Sequence, residues 1–309
     1  MIVVCGEALI DLVPLGAGAG SYTARPGGSP ANVAVGLGRL DVPVALLSRL
    51  SCDALGRRLV AHVHAAHVDT SLTIVAPEPT TLAVVTLDAA GKAEYGFYVD
   101  GAADGGWRAQ DLPAALPDGA ALHVSGSLAL GVPAMGETIE VLLRRERGRR
   151  VLALDPNVRP QLARDEAALR ARLDVWLGLV DLVKVSADDL AWFAPGESVE
   201  DVAAGWRSRG PALVVVTRGE DGVHAHGPGG TVDLAGLPVD VVDTVGAGDA
   251  FMAGLLCALD EAGDLTADRL PALTPQALQA ALGFAQDVAA ETCRRVGADP
   301  PWRAELAHR

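Results

Sequence analysis

Asp249 closes the stretch Asp243-Thr244-Val245-Gly246-Ala247-Gly248-Asp249, and that order of residue types poses a chemical question. Three small residues, Gly246, Ala247 and Gly248, lead from an apolar run, Leu237 to Val242, into Phe251 to Leu259, which is dense enough in apolar residues for a buried helix. A strand-to-helix turn of this kind leaves backbone N–H groups without intrahelical partners, and small side chains let an anion approach them. A carboxylate at the next position can serve the positive end of the helix dipole. It can equally stand beside an anion site as a proton acceptor. The turn alone leaves both readings open.

A second glycine-rich stretch, Gly27-Gly28-Ser29-Pro30-Ala31-Asn32, has the same character. Gly27 and Gly28 permit a tight turn and Pro30 suits a first helical turn. Ala31 to Leu40 then reads as a helix carrying small residues at Ala31, Ala34, Gly36 and Gly38. Asn32 near its start can both donate and accept, which suits a hydroxylated ligand. The usual nucleotide signatures are missing. No G-x-x-x-x-G-K-[ST] occurs, and the first strand runs into Gly6-Glu7-Ala8-Leu9-Ile10-Asp11 rather than G-x-G-x-x-G.

The elements that must position these residues recur along the chain. Short apolar runs at Ile2 to Val4, Val44 to Ser48, Leu82 to Leu87, Leu122 to Ser125, Val151 to Leu154, Leu182 to Val185 and Leu213 to Thr217 read as strands. Helical patterns at Met135 to Arg145, Ala167 to Leu177 and Val199 to Arg207 alternate with the later ones. Continuously apolar strands spaced by helices predict a mostly parallel sheet covered on both faces, a doubly wound α/β core. Residues 12–25 break the rhythm as a polar, Gly-rich loop. Residues 81–100 read as two strands about a hairpin at Ala89-Ala90-Gly91-Lys92, a small sheet projecting as a lid. A single domain over 1–309, with a discontinuous lid at about 12–25 and 81–106, is the organisation expected.

Bulk properties narrow the class. Of 309 residues, 50% are hydrophobic and 21% charged, which fits a well-packed globular protein; only 4% are aromatic, so aliphatic side chains must fill the core. A net charge of −14 argues against nucleic acid as a partner. The basic run Arg144 to Arg150 reads as a solvated helix C-terminus. The 4 cysteines, Cys5, Cys52, Cys257 and Cys293, are scattered and read as reduced thiols of a cytoplasmic protein. No signal peptide or membrane span is expected. His62, His64 and His67 do not share one helical face, so no zinc site is expected there.

Taken together, "GGSPANVAVGLGRL" (27–40) and "DTVGAGDAFMAG" (243–254) resemble the two signatures of the ribokinase/PfkB carbohydrate kinase family. "VCGEALIDLVP", "HVSGSLAL", "DPNVRP", "KVSADDL", "VTRGEDGV" and "ETCRRVGADPP" resemble further blocks of that family, in order, over nearly the whole chain. "GEALIDLVP", "DPNVRP" and "KVSADDL" are most similar to its fructokinase-like branch.

The resemblance implies a ribokinase-like three-layer fold and an ATP-dependent sugar kinase. It makes Asp249 the base that takes the proton of the attacking sugar hydroxyl, with Gly246, Ala247 and Gly248 as the anion hole for the transferred phosphoryl. It assigns Asp11, Gly28 and Asn32 to the sugar, Asn157 or Arg159 to the sugar or a phosphate, and Thr217, Gly219, Gly222 and Gln286 to the nucleotide. Lys184, ending a strand, could approach the phosphates of ATP as a point charge. Asp189 would act on Mg²⁺ through water, and Asp243, Thr244 and Gly297 resemble the K⁺ site of potassium-activated members. Ser186 stands where many members have Asn, and Val99 where fructokinase-like members usually have Arg. Fructose is the expected acceptor. 2-Keto-3-deoxygluconate, ribose, a nucleoside or a hydroxymethyl-pyrimidine on the same scaffold, or a silent sugar-binding homologue, are the alternatives. An exposed lid edge predicts a homodimer.

Overall fold

The computed structural model describes residues 1–15, 20–87, 93–162 and 165–306. In chain order its first strands are β1 Ile2–Cys5, β2 Leu9–Pro14, β3 Tyr22–Gly27, β4 Val44–Leu47, β5 Arg49–Ser51, β6 Ile74–Ala76, β7 Leu82–Leu87 and β8 Ala93–Tyr98. There follow β9 Ala121–Ser125, β10 Leu152–Asp155, β11 Leu182–Ser186, β12 Leu213–Thr217, β13 Val223–Gly227 and β14 Gly230–Leu234. The helices are α1 Ser29–Arg39, α2 Ala54–Ala65, α3 Ser127–Gly131, α4 Pro133–Glu146, α5 Glu166–Leu177, α6 Ala187–Phe193, α7 Val199–Arg207, α8 Ala247–Glu261, α9 Pro275–Cys293 and α10 Arg303–Leu306.

Strand alternation explains the layers. Along β1, Ile2 and Val4 join a buried cluster with α1, α8 and α9, while Val3 and Cys5 join a second cluster with α3, α4, α5 and α7. A strand buried on both faces has no polar side to show, hence its continuous apolar run. The main sheet has the order β14-β13-β12-β11-β10-β9-β1-β4. It is parallel from β4 to β12, and β13 and β14 are antiparallel. Strand order reverses between β1 and β9, and ligands of such sheets bind beyond the strand C-termini at that switch.

Small residues let helices sit close over this sheet. A Cβ on Gly36 of α1 would lie 2.7 Å from the Cβ of Ala253 in α8, and one on Gly38 would lie 1.9 Å from the Ala66 carbonyl oxygen. Each Leu or Val buried at these contacts contributes roughly 1.5–3 kcal/mol through removal from water.

The second sheet, β3-β2-β7-β8, stands apart from the first. Residues 12–25 therefore correct the sequence reading: most of their described part is strand, with β2 and β3 pairing antiparallel from Leu9↔Gly27 to Pro14↔Tyr22. Their half-exposed, irregular burial hides the alternation that would have announced them. β7 and β8 pair antiparallel as expected, and the hairpin turn at Ala89 to Lys92 lies outside the described residues.

The basic run is exposed at Arg144, Arg147 and Arg149 as expected and differs at two positions. Arg145 and Arg150 both bond to the buried Glu146 and reach the carbonyls of Pro113, Pro117 and Ala120, so they tie the end of α4 to the loop beside it. Cys5 and Cys257 are buried, Cys52 is exposed and Cys293 lies between, all as free thiols. His64 bonds to Thr70, and His67 packs edge-on to Trp302. Among the described residues no helix is long and apolar enough to cross a membrane.

Candidate active site

A cleft of about 1210 Å³ opens at the C-terminal edge of the main sheet. Three helix N-termini reach it, each introduced by a glycine with positive φ: Gly28 (96°) before α1, Gly126 (109°) before α3 and Gly246 (78°) before α8. None of these helices has a side-chain cap. Crowding enforces glycine at two of them as well. A Cβ at Gly28 would come within 2.8 Å of the Glu7 carbonyl oxygen, and one at Gly246 within 2.5 Å of the Ala298 Cβ.

Asp249 is the third residue of α8 and is 7% exposed. Ser29 Oγ donates to its Oδ1 at 2.7 Å and Asn32 Nδ2 to its Oδ2 at 2.8 Å. Burial pushes the carboxyl above its ordinary range; those two bonds and the Lys184 charge pull it down, and Asp155 pushes it up. Each oxygen keeps a further lone pair, and Asp249 lines the cleft. The result is a fixed, buried proton acceptor.

The backbone beside it divides in two. Ala247 N–H bonds to the Thr244 carbonyl at 3.2 Å, and Ala250 N–H to that of Gly246 at 2.8 Å. Among the described residues the N–H groups of Gly248 and Asp249 have no acceptor. Free donors on a helix N-terminus suit an anion, and among the described residues the N–H groups of Gly248 and Asp249 are free where that of Ala247 is not. Behind them stands Lys184, whose Nζ bonds to Asp155 Oδ2 at 2.8 Å. The same Nζ would be 3.0 Å from a Cβ on Gly248. Burial disfavours the Lys184 ammonium, but the charges of Asp155, Asp249 and Asp189 outweigh it and the group titrates above its ordinary value.

At one end of the cleft, Asp11 extends from β2 over Gly27, where any Cβ would collide with its carboxylate. Burial raises its pKa to about 6, against the lowering effect of Arg159 and with a further rise from Asp249. Asn157, in a left-handed turn with φ 39°, and Arg159 line the wall after β10. The turn forms because Asn157 N–H bonds to Asp155 Oδ1 at 3.2 Å. At the other end lie Thr217, Gly219 and Thr244. Asp189 also lines the cleft, with its pKa raised to about 6 by burial first and Asp155 next. Ser186 earns its position by accepting from Asp189 N–H at 3.0 Å, capping α6.

Some expected residues sit elsewhere. Gly222 is outside the cleft lining, and a Cβ there would lie 2.0 Å from the Leu234 carbonyl oxygen, so its glycine serves packing. Gln286 donates to the Ala235 carbonyl at 2.9 Å and pins the loop before α8 to α9. Asp243 and Gly297 meet through a 2.7 Å bond from Gly297 N–H to Asp243 Oδ2, next to Cys293, whose carbonyl accepts from Asp243 N–H. Val99 packs in the core with Trp107, away from the cleft.

Several lining residues escaped the sequence reading. Ser29 was visible inside "GGSPAN", but nothing local showed that it reaches Asp249. Glu7 follows the first strand; it is buried, and desolvation and then Asp104 raise its carboxyl to about 8. Tyr95 and Phe97 stack at 6.0 Å on β8 of the second sheet, and their period-two spacing was a usable signal.

Similarity to known proteins agrees with this geometry. The pattern of the pfkB family carbohydrate kinases matches residues 1–305. The chain is 39% identical to a fructokinase of Rhizobium leguminosarum bv. trifolii over 281 residues, covering 90% of this chain and 86% of that protein. It is 36% identical to a fructokinase of Klebsiella pneumoniae, covering 88% of each. Its fold superposes on the fructokinase of Vibrio cholerae O395 solved with fructose, ADP and calcium, with a TM-score of 0.87, 29% identity and coverage of 99% and 97%. The fructokinase of Xylella fastidiosa with bound ATP gives 0.89, with 28% identity and coverage of 99% and 96%. A carboxylate held between two helix N-termini, free backbone donors beside it and a match along almost the entire sequence lead to one conclusion: the chain belongs to the pfkB family of carbohydrate kinases.

Proposed function

We propose that this protein is an ATP-dependent fructokinase in which Asp249 takes the proton from a terminal hydroxyl of the sugar. The observation that carries the reading is the pairing of Asp249, fixed by Ser29 and Asn32, with the free N–H groups of Gly248 and Asp249 itself. As the hydroxyl oxygen bonds to the γ-phosphorus, the bond from phosphorus to the β,γ-bridging oxygen breaks and ADP leaves. The hydroxyl proton passes to Asp249, and the backbone donors, with Gly246 shaping the turn, hold the charge on the equatorial oxygens. The neighbouring Lys184 adds positive potential from behind the turn.

Asp11, Gly28, Asn157 and Arg159 form the sugar end, and Thr217 and Gly219 the nucleotide end. One N–H of the Asn32 amide serves Asp249, which leaves its oxygen and its second N–H for the sugar. Asp189 offers the hard oxygen that Mg²⁺ prefers and would hold it through water; the ion's contribution is neutralisation of phosphate charge. Asp243, Thr244 and the backbone near Gly297 would hold K⁺ and brace the turn. The sheet β3-β2-β7-β8 would serve as the lid of a single domain, excluding water that would otherwise compete as nucleophile, and its edge would pair two copies into a homodimer.

The experiment is an acceptor panel, with fructose, 2-keto-3-deoxygluconate, ribose and a nucleoside assayed for ADP release. Val99, buried in the core, stands where fructokinase-like members usually have Arg, and the loss of that cation weighs most against an acidic sugar such as 2-keto-3-deoxygluconate. A higher kcat/KM for any of these than for fructose would overturn the substrate assignment. Light scattering on the purified protein reads the dimer, and a monomer at working concentration would remove it.

A further inference from the structure

Ser29 occupies the first position of α1, after Gly28 and before Pro30. A serine there commonly bonds to its own backbone, but no side-chain cap bond closes this helix. Its hydroxyl instead crosses to α8, far away in sequence, and meets Asp249 Oδ1 at 2.7 Å. The direction is fixed: a hydroxyl has one proton, and an ionised carboxylate only accepts. Ser29 therefore donates to Asp249, and the 3.3 Å contact with Ser125 on β9 must run from Ser125 to Ser29. That second contact is longer than a strong O–H···O bond and weaker for it.

Resting on the assignment of Asp249 as base, we infer that Ser29 is a positioning residue for it: its hydroxyl fixes Oδ1 so that the open face of the carboxylate is turned to the cleft. Asn32 holds the other oxygen, so the carboxylate cannot rotate without breaking a buried bond. Both donors also favour the charged form of a group that burial drives toward neutrality. Asp11 on β2, Asp155 on β10, Lys184 on β11, Asp189 on α6 and Arg159 face the same centre. They are shared by the wild type and the variants, so a difference between those proteins reports the hydroxyl.

The test is the pH dependence of kcat/KM for the sugar in wild type, Ser29→Ala, Ser125→Ala and Asp249→Asn. Loss of a donor to the charged form raises the pKa of the base, so the acid limb of Ser29→Ala should move to higher pH by about one unit. At the wild-type optimum its kcat should fall by about 10- to 100-fold, the scale of a hydrogen bond to a charged group, with KM for the sugar within about two-fold. Ser125→Ala, which removes only the weaker contact, should lose under about 5-fold in kcat. Sugar binding by calorimetry verifies the folded state, and Ser29→Gly carries the same expectation if Ser29→Ala does not fold. An inactive Asp249→Asn beside a Ser29 variant whose acid limb overlays the wild type would overturn the role of Ser29 while leaving the base in place. Near-normal turnover by Asp249→Asn would overturn the base itself.

Discussion

Helices α8 and α9 pack against each other, yet their N-termini are finished in opposite ways. α9 starts with Thr274, whose hydroxyl accepts from Ala277 N–H, followed by Pro275. α8 starts with Gly246 at φ 78° and leaves the N–H groups of Gly248 and Asp249 without acceptors among the described residues. The same division runs through the molecule. Asp53, Asp165, Ser186 and Ser198 cap α2, α5, α6 and α7, whereas glycines open α1, α3 and α8 toward the cleft. Caps satisfy the orphan donors of a helix and stabilise it. Where a cap is withheld in favour of a left-handed glycine, the donors stay available to a ligand, at a cost in local stability. α6 does both, because Ser186 caps its backbone while Asp189 faces the cleft.

The contrast can be broken at the open end first. Asp249→Asn should lower kcat by about 10³-fold, within the range of general-base removal, while calorimetry still detects sugar binding. Gly248→Ala should follow with a loss of about 10²-fold in kcat, the scale of one oxyanion donor, because its Cβ must displace the Lys184 ammonium at 3.0 Å. A near-normal rate in that variant would mean that neither close approach of the ligand at Gly248 nor the Lys184 position is needed for transfer.

Asp11 supplies a smaller, pH-dependent effect. Its carboxyl titrates near 6, so KM for the sugar should rise by up to about tenfold per pH unit below that point, as an acceptor is lost. Steady-state KM from pH 7 to 5 measures it, and Asp11→Asn should flatten the dependence. For stability the sign is opposite to that of a salt-bridged acid. The folded pKa exceeds the unfolded one, so this group favours the native state below about 4 and progressively less as pH climbs to about 6. The capped end should respond least. Thr274→Ala should cost about 1 kcal/mol of stability in a denaturant titration and leave kcat unchanged. A comparable loss of activity there would erase the distinction between the two kinds of helix start.

Legibility followed continuous apolar runs. The seven strands expected from apolar runs correspond to β1, β4, β7, β9, β10, β11 and β12, and the helices expected at α1, α4, α5, α7 and α8 form within a few residues of their anticipated ends. β5 and β6 were missed because each is only three residues long, and β13 because it carries His224 and His226 in its run. β2, β3 and β14 were missed because their exposure is mixed and no face is consistently apolar. Tyr95 and Phe97 were overlooked for the same reason, although their alternation was available.

The sequence by itself determined the layered α/β core, the two glycine-rich turns, the carboxylate beside one of them and the resemblance to carbohydrate kinases, because periodicity and motif order are local properties of the chain. Only the tertiary structure decided what those residues touch. It tied Asn32, which lines the cleft, to Asp249, joined Ser29 to the same carboxylate, paired Lys184 with Asp155, and set Gln286 and Gly222 outside the cleft lining. These are contacts between segments far apart in the chain, fixed by how sheet and helices pack, and no local pattern encodes which hydrogen bond a side chain will find there.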